Sequence, residues 1–568
     1  MGKLHRVLLV FVLVLLFESI TAQQFVKSEK PDPKFAKLCM HFGNYYDGLK
    51  EYERLLKDDA DNVLYRYNSG VCHLNLNKDK SKAIPFFIWV SQQEKHDDQV
   101  WYYLGKSYLV TGEYDKAIDA FKKFQTLVEQ DENRIPASRM IEMCANAKKA
   151  ISTPVPIEIT NLGKHINTQY PEFNPYVPAN ETMLIFNAQR KRGYRYEDGY
   201  YPSDLYLSYF KFGRYRRTKR FSSVINSSNI EKAVGLTSSG ANLFVYTKQK
   251  FDRDEDLMMT KKRGKAYRPM IQIVIPGFEK VTKTSAALSP KGKFLFFVAE
   301  TNDGVGGKDI YLSKRLPDGT WAEPHLLDSG VNTVYNEEYP YFAPDGKSFF
   351  FASEGHNSMG GYDLFRCTFD EETGRFSNPQ NLGYPINTSM DDMTIALSES
   401  MRYAYIASLR EGGYGDLDLY RVVLKDVKPL YTVVYGGVFN EDSIRMTKII
   451  ARMNEHIDTL NFPVNKEYKR LLLEKKDTVA ALDTLSKKTP YEKVAVRIEV
   501  IDKNTNKTFG HFVVKESTAN YNVILPPGDF KIIFRREGYK NYIVDNLVVK
   551  ERDKRNRYMV KHVLLSKN

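Results

Sequence analysis

The stretch Leu288-Ser289-Pro290-Lys291-Gly292-Lys293-Phe294-Leu295-Phe296-Phe297, followed by Gly306-Gly307-Lys308-Asp309-Ile310-Tyr311, decides the fold. A turn signal leads into an aromatic strand, a glycine pair makes a second turn, and a new strand opens on Asp. The same order returns at Phe342-Ala343-Pro344-Asp345-Gly346-Lys347-Ser348-Phe349-Phe350-Phe351 and at Gly360-Gly361-Tyr362-Asp363-Leu364-Phe365. The triplet of Asp, an apolar residue and a Tyr-like residue also occurs as Asp204-Leu205-Tyr206, Asp256-Leu257-Met258 and Asp418-Leu419-Tyr420. Successive copies lie 52, 53, 54 and 55 residues apart. A period near 50 residues built of short strands means propeller blades. Five blades are countable over residues 157–426, and a sixth could be assembled from strands before Tyr170 and after Asp426. In each blade the glycine pair is expected to supply positive φ and the Asp to cap the turn. A residue that recurs in every blade is read as a fold residue before a functional one.

Composition agrees with a strand-rich chain. The 568 residues include 38 Tyr and 33 Phe, which suit half-exposed pleated surfaces. Apolar residues make 42% and charged residues 27%, which excludes a disordered chain and a polytopic membrane protein. Four cysteines exclude a disulfide scaffold. The net charge of +13 points to an acidic or anionic neighbour without naming one.

Upstream of the blades the periodicity turns helical. Trp101-x-x-Leu104-Gly105-x-x-Tyr108, then Ala117-x-x-x-Phe121, places small residues where two helices touch and large ones around them. Ala83-x-x-x-Phe87 precedes it by 34 residues, and Gly48-x-x-x-Tyr52 lies 35 earlier still. This pattern resembles the tetratricopeptide repeat, which implies an all-α solenoid over residues 31–152 with a concave groove. In that family the face bearing Tyr102 and Lys106 lines the groove, and Tyr67 is the nearest equivalent of Tyr102. The three are therefore candidate partner-binding residues for an acidic or carboxyl-ended segment. The alternative is a groove filled by the protein's own propeller. Cys39 and Cys72 are expected as packed small residues rather than a bridge.

Basic residues gather in two neighbouring loops, as Arg190, Lys191, Arg192 and Arg195, then Arg214, Arg216, Arg217, Lys219 and Arg220, with a third group from Lys261 to Lys265. Of these, Arg190, Lys191, Arg192, Arg216 and Arg217 are taken as candidate binding residues for an acidic protein or phospholipid surface. A solvated face is the plainer alternative. Nucleic acid is not expected for an exported chain. No Ser-His-Asp order, G-x-S-x-G, H-E-x-x-H or C-x-x-C occurs, so the sequence gives no catalytic, cofactor or metal site and the chain is read as not an enzyme. An enzyme using the propeller mouth is the third-ranked reading.

At the amino end, Lys3 and Arg6 precede an apolar run from Val7 to Phe17 and a small-residue junction at Ala22-Gln23. This is the layout of a signal peptide over residues 1–22. The run is too short for a membrane span of about 20 residues, and no later segment approaches that length. No Cys follows the run, so no lipid anchor is expected.

Residues 427–568 read as strands with a Pro-Pro-Gly turn at Pro526-Pro527-Gly528 and a Gly538-Tyr539 pair. They resemble the carboxypeptidase regulatory-like sandwich, interrupted by a helical insertion over 441–492. Four Asp-Ser/Thr-apolar triplets in the insertion put Ser443, Thr459, Thr478 and Thr484 forward as candidate O-glycosylation acceptors, by resemblance to exported Bacteroidota proteins. Asp-Ser/Thr is also ordinary helix-start chemistry.

The blades resemble the propellers of TolB-like periplasmic proteins. The whole order is similar to the PorE-like periplasmic proteins of Bacteroidota, without the OmpA-like domain that follows there. The resemblance implies a multidomain chain: solenoid, propeller of five to six blades, and sandwich. It further implies a non-catalytic periplasmic scaffold that binds envelope proteins at the outer membrane, such as type IX secretion components. The alternative is a secreted or surface-bound propeller protein that binds a glycan or peptide.

Overall fold

The structure, a computed structural model, describes residues 30–211, 214–249, 255–264, 266–327, 330–429, 431–440, 496–514, 520–549, 558–561 and 563–568. The signal segment, the four glycosylation triplets and the insertion lie outside them. Among the described residues no helix is long and apolar enough to cross a membrane.

Capping and close packing shape the helices. The Asp32 side chain accepts from the backbone N–H groups of Lys34 and Phe35 and opens α1 (Pro33–His41), with Pro at the first position. Asn44 and Asn62 cap α2 (Tyr45–Asp58) and α3 (Val63–Asn75) in the same way. Next come α4 (Ala83–Ser91), α5 (Gln99–Val110), α6 (Tyr114–Leu127) and α7 (Ala137–Ser152). A Cβ at Gly105 would lie 2.8 Å from the Phe121 ring, and one at Gly70 would lie 2.8 Å from Phe87. The pairs α3/α4 and α5/α6 thus share one device, a ring laid on bare backbone. Cys39 and Cys72 are buried and unbridged.

The expected all-α solenoid is corrected. Among the described residues there are seven α-helices against thirty-one strands, so the chain is β-rich. The helices form a layer laid on the propeller, and the face that a solenoid leaves open meets propeller loops. Arg139 Nη2 donates to Glu354 O (2.9 Å), His356 O (3.0 Å) and Ser358 Oγ (2.9 Å). Asn77 Nδ2 donates to Asp416 Oδ1 (2.8 Å), and the Tyr114 and Ser389 hydroxyls lie 3.0 Å apart. On the other flank Arg195 Nη1 meets Asp47 Oδ2 at 2.9 Å.

The propeller has five blades. Each is an antiparallel sheet whose inner strand is Glu172–Tyr176, Ile230–Leu236, Lys283–Leu288, Glu337–Phe342 or Ile395–Leu397. The strand Ile157–Asn161 supplies no sixth blade. It pairs with Asp418–Leu424, Ile157 opposite Leu424 and Asn161 opposite Tyr420, and so closes the ring as the outer strand of blade 5. Aromatic cores fill the blade interfaces, for instance Phe296, Phe342, Phe349 and Phe369 between blades 3 and 4.

The glycine pairs serve close approach rather than positive φ. A Cβ at Gly306 would meet Tyr335 O at 2.2 Å, and one at Gly361 would meet Asp391 Oδ1 at 1.9 Å. The next blade's entry loop presses on this backbone, and only a residue without Cβ fits.

Residues 432–440 and 496–565 contribute two further sheets. One joins Thr432–Asn440 to Asn520–Leu525, Tyr558–Val560 and Val563–Leu565, and the other joins Arg497–Asp502, Lys507–Val513, Gly528–Arg535 and Tyr542–Val549. Val434, Ile498, Val523, Phe530 and Phe534 are among the side chains of the core they share.

Candidate binding site

A second repeat, missed in the sequence, holds the blades together. Asn167-Thr168-x-x-x-Glu172 recurs as Asn226-Ser227-x-x-x-Glu231, Asn332-Thr333-x-x-x-Glu337 and Asn387-Thr388-x-x-x-Asp392. Each Asn clasps the backbone of the Asp-apolar motif one blade back. Asn387 Oδ1 accepts from Leu364 N (2.8 Å) and its Nδ2 donates to Leu364 O (2.9 Å). Asn167 does the same to Leu419, Asn226 to Leu205 and Asn332 to Ile310. The acid four residues after each Ser or Thr accepts from that residue's backbone N–H and hydroxyl, as Glu337 does from Thr333 at 2.9 and 2.7 Å. Burial pushes the Glu172 and Glu231 carboxyls up to about 7, Glu337 to about 8 and Asp392 to about 7. Three of the five Asp residues of the first motif, Asp309, Asp363 and Asp418, cap turns, whereas Asp204 receives Arg220 and Asp256 receives Gln272. Asp309 Oδ2 accepts from Val305 N (2.8 Å) and Gly306 N (3.2 Å), and Asp363 Oδ2 accepts from Met359 N (3.0 Å). Each recurring acid accepts bonds from the fold, although Oδ1 of Asp309, Asp363 and Asp418 and Oε2 of Glu231 are buried without a hydrogen-bond partner among the described residues.

Some of the basic residues of blade 1 line an open pocket. His165, Arg214, Tyr215, Arg216 and Arg217 enclose about 400 Å³ beside blade 1. Arg214 and Arg217 are exposed and form no ion pair among the described residues, and the Tyr215 ring forms a buried wall against Tyr405. Behind this wall Arg190 holds the neighbouring loop. It pairs with Glu172 (3.0 Å) and donates to Ile166 O (2.7 Å) and Thr218 Oγ1 (2.9 Å). Three arginines and a histidine thus meet at one open recess whose lining surface is largely apolar.

The remaining expected site residues distribute as follows. Arg190 is spent on the fold, so its place in a binding surface is corrected. Lys191 and Arg192 are exposed, with Arg192 Nη1 3.8 Å from Asp204 Oδ2. Tyr102 is corrected from groove to core. It is 6% exposed, its hydroxyl donates to Ile135 O (2.8 Å), and its ring meets Phe121 and Phe124. Tyr67 packs on Phe87 and Tyr103. The α5 face was assigned from one turn of a helix, but the following helices wrap it, so the Tyr side of that face is interior. Lys106, one turn on, lies near the charges of Arg134 of the helical layer and of Glu354 and Asp391 of the propeller. Among the described residues no cluster of three or more His, Cys, Asp or Glu is placed to hold a metal ion.

No protein-family model matches the sequence, and no curated protein matches it. Solved structures similar to the chain include one described as a glycoside hydrolase, at 7% identity and a TM-score of 0.33, covering 49% of this chain and 94% of that one. An α-L-arabinofuranosidase from Lactobacillus brevis matches at 11% identity and 0.27, covering 45% and 92%. An oligogalacturonate lyase in complex with manganese matches at 11% and 0.28, covering 48% and 95%. These neighbours are enzymes, and the reading of this chain as not an enzyme is withdrawn on that finding. At these scores the likeness assigns it no activity or substrate.

Proposed function

We propose that this is a propeller protein that binds an acidic glycan, acting outside the cytoplasm. The observation that carries the reading is the pocket of His165, Arg214, Arg216 and Arg217. Guanidinium forks match carboxylate and sulfate groups, and the Tyr215 edge offers an apolar wall for a sugar ring. The scaffold reading rests on the order of the domains alone, and the helical layer is in part taken up where Arg139, Asn77 and Tyr114 reach the propeller. Placement outside the cytoplasm rests on the charged start, apolar run and Ala22-Gln23 junction.

The test compares alginate with dextran by calorimetry, using the whole chain and an Arg216→Ala/Arg217→Ala variant. Binding is expected for the acidic chain alone, weakening as salt screens it and falling about tenfold or more in the variant. Equal binding of dextran, or a variant that binds alginate as the parent does, would sink the reading.

A further inference from the structure

The arginine pocket lies where the propeller ring is closed. Blades 1 to 4 are each built from one continuous stretch of chain, and among the described residues blade 5 alone takes a strand from elsewhere. That strand, Ile157–Asn161, pairs with Asp418–Leu424, and Asn161 Nδ2 donates to Asp418 Oδ2 at 2.9 Å. Leu162 N donates to Leu419 O at 3.1 Å, and the chain then crosses to the inner strand of blade 1, which opens at Glu172. His165 stands on this crossing. Arg214, Tyr215, Arg216 and Arg217 stand at the outer edge of blade 1, where Arg214 and Tyr215 pair with Lys211 and Phe210. The pocket therefore takes one wall from each side of the seam.

The seam is stitched close by. Arg190 donates to Ile166 O at 2.7 Å and to Thr218 Oγ1 at 2.9 Å, so one side chain holds the crossing to the arginine segment. The Tyr215 ring lies 5.9 Å from that of Tyr405 in blade 5. A hairpin closes locally, whereas the pairing of Ile157 with Leu424 closes a loop that contains the whole propeller. Loop-closure entropy grows with length, so this strand is the part of the ring least secured by its sequence neighbours. If it parts from blade 5, His165 leaves with the crossing and the arginines stay on blade 1. The complete pocket belongs to the closed ring.

We infer that an acidic ligand in this pocket locks the propeller ring, by bridging the crossing at His165 to the arginines of blade 1. The inference rests on the pocket reading above and adds a consequence to it: ligand binding and ring closure are linked. A ligand that binds only the closed form lowers the open fraction about a hundredfold at 100 times its Kd. Segments that open locally report such a shift through their amide exchange.

The experiment follows amide hydrogen exchange of the full chain by mass spectrometry, with alginate oligomers or dextran, beside calorimetric titration of the same samples. Ile157–Asn161 and Asp418–Leu424 do not line the pocket, so slower exchange there reports closure rather than shielding. Saturating alginate oligomers are expected to slow both strands about tenfold or more, leaving Phe294–Glu300 of blade 3 as it was, and dextran should change neither. In the Arg216→Ala/Arg217→Ala variant the slowing should be lost at the same concentration. Binding by calorimetry with unchanged exchange in both strands, or with every blade slowed alike, overturns the lock and leaves the pocket reading standing. Absence of calorimetric binding overturns the pocket reading, and the lock with it.

Discussion

Arg134 of the helical layer grips Glu354 of blade 4 through both guanidinium nitrogens, the Nη2–Oε1 contact being 2.6 Å. The Glu354 side chain is 3% exposed and that of Arg134 63%. Five residues on, in the same contact, Arg139 is 5% exposed and donates to three acceptors.

The two arginines should therefore differ in worth. Arg139→Ala leaves buried acceptors without a donor and is expected to cost about 3 kcal/mol or more. Arg134→Ala removes a solvent-screened partner and should cost about 1 kcal/mol or less. Chemical denaturation of both variants checks the order, and equal losses would contradict it.

Tyr102 carries the second prediction. Tyr102→Ala should cost about 3–5 kcal/mol, as truncation of a buried aromatic does. Tyr102→Phe keeps the ring and drops only the bond to Ile135 O, for about 1 kcal/mol. A stable alanine variant would return the residue to the surface.

At Gly105 two effects oppose each other. Alanine gains about 1 kcal/mol of helix propensity but sets a methyl 2.8 Å from Phe121. Overpacking costs about 1–3 kcal/mol, so Gly105→Ala should be destabilising on balance. Phe121→Leu in the same chain should recover part of the loss, measured by thermal melting.

Stability should fall as pH rises across neutrality. Glu172, Glu231, Glu337 and Asp392 have folded-state values of about 7, 7, 8 and 7, raised first by burial. The unfolded chain ionises them near 4. Their contribution is fully present below about pH 4 and is lost as pH passes through 7–8. The His73 and His356 imidazoles, held below the ordinary value by burial, act with the opposite sign below about pH 6.5 but are two groups against four, and Lys80, pushed down to about 8 by burial, does so only above that value. Melting temperature is thus expected to drop between about pH 5 and 7.5, and a flat or rising profile would refute the assignment. Glu337→Gln should flatten the slope in part.

The clasp at Asn387 makes the last prediction. Asn387→Ala strands the N–H and C=O of Leu364, so about 2–4 kcal/mol should be lost by denaturant titration. A loss near zero would show that the blade boundary is held by its apolar core alone.

The sequence by itself determined the blades. Asp309-Ile310-Tyr311 and its copies repeat because each blade opens the same strand in the same way, with a turn cap at Asp309, Asp363 and Asp418, and a period survives without coordinates. Gly105 and Phe121 were legible for the same local reason, since helical spacing puts a ring over a bare backbone. The Asn167 family was as regular and equally visible, but its partners Leu419, Leu205, Ile310 and Leu364 lie one blade back, so no local rule pointed to it. Only the tertiary structure decided which cations are free. Arg190 and Arg217 look alike in sequence, yet one is spent on Glu172 and the other faces a pocket. It also turned Tyr102 inward and left Lys106 facing the propeller, because a helix face is assigned by whatever packs against it. The five-blade count was settled the same way. Ile157–Asn161 has no motif of its own, and its place in blade 5 depends on ring closure with a strand some 260 residues away.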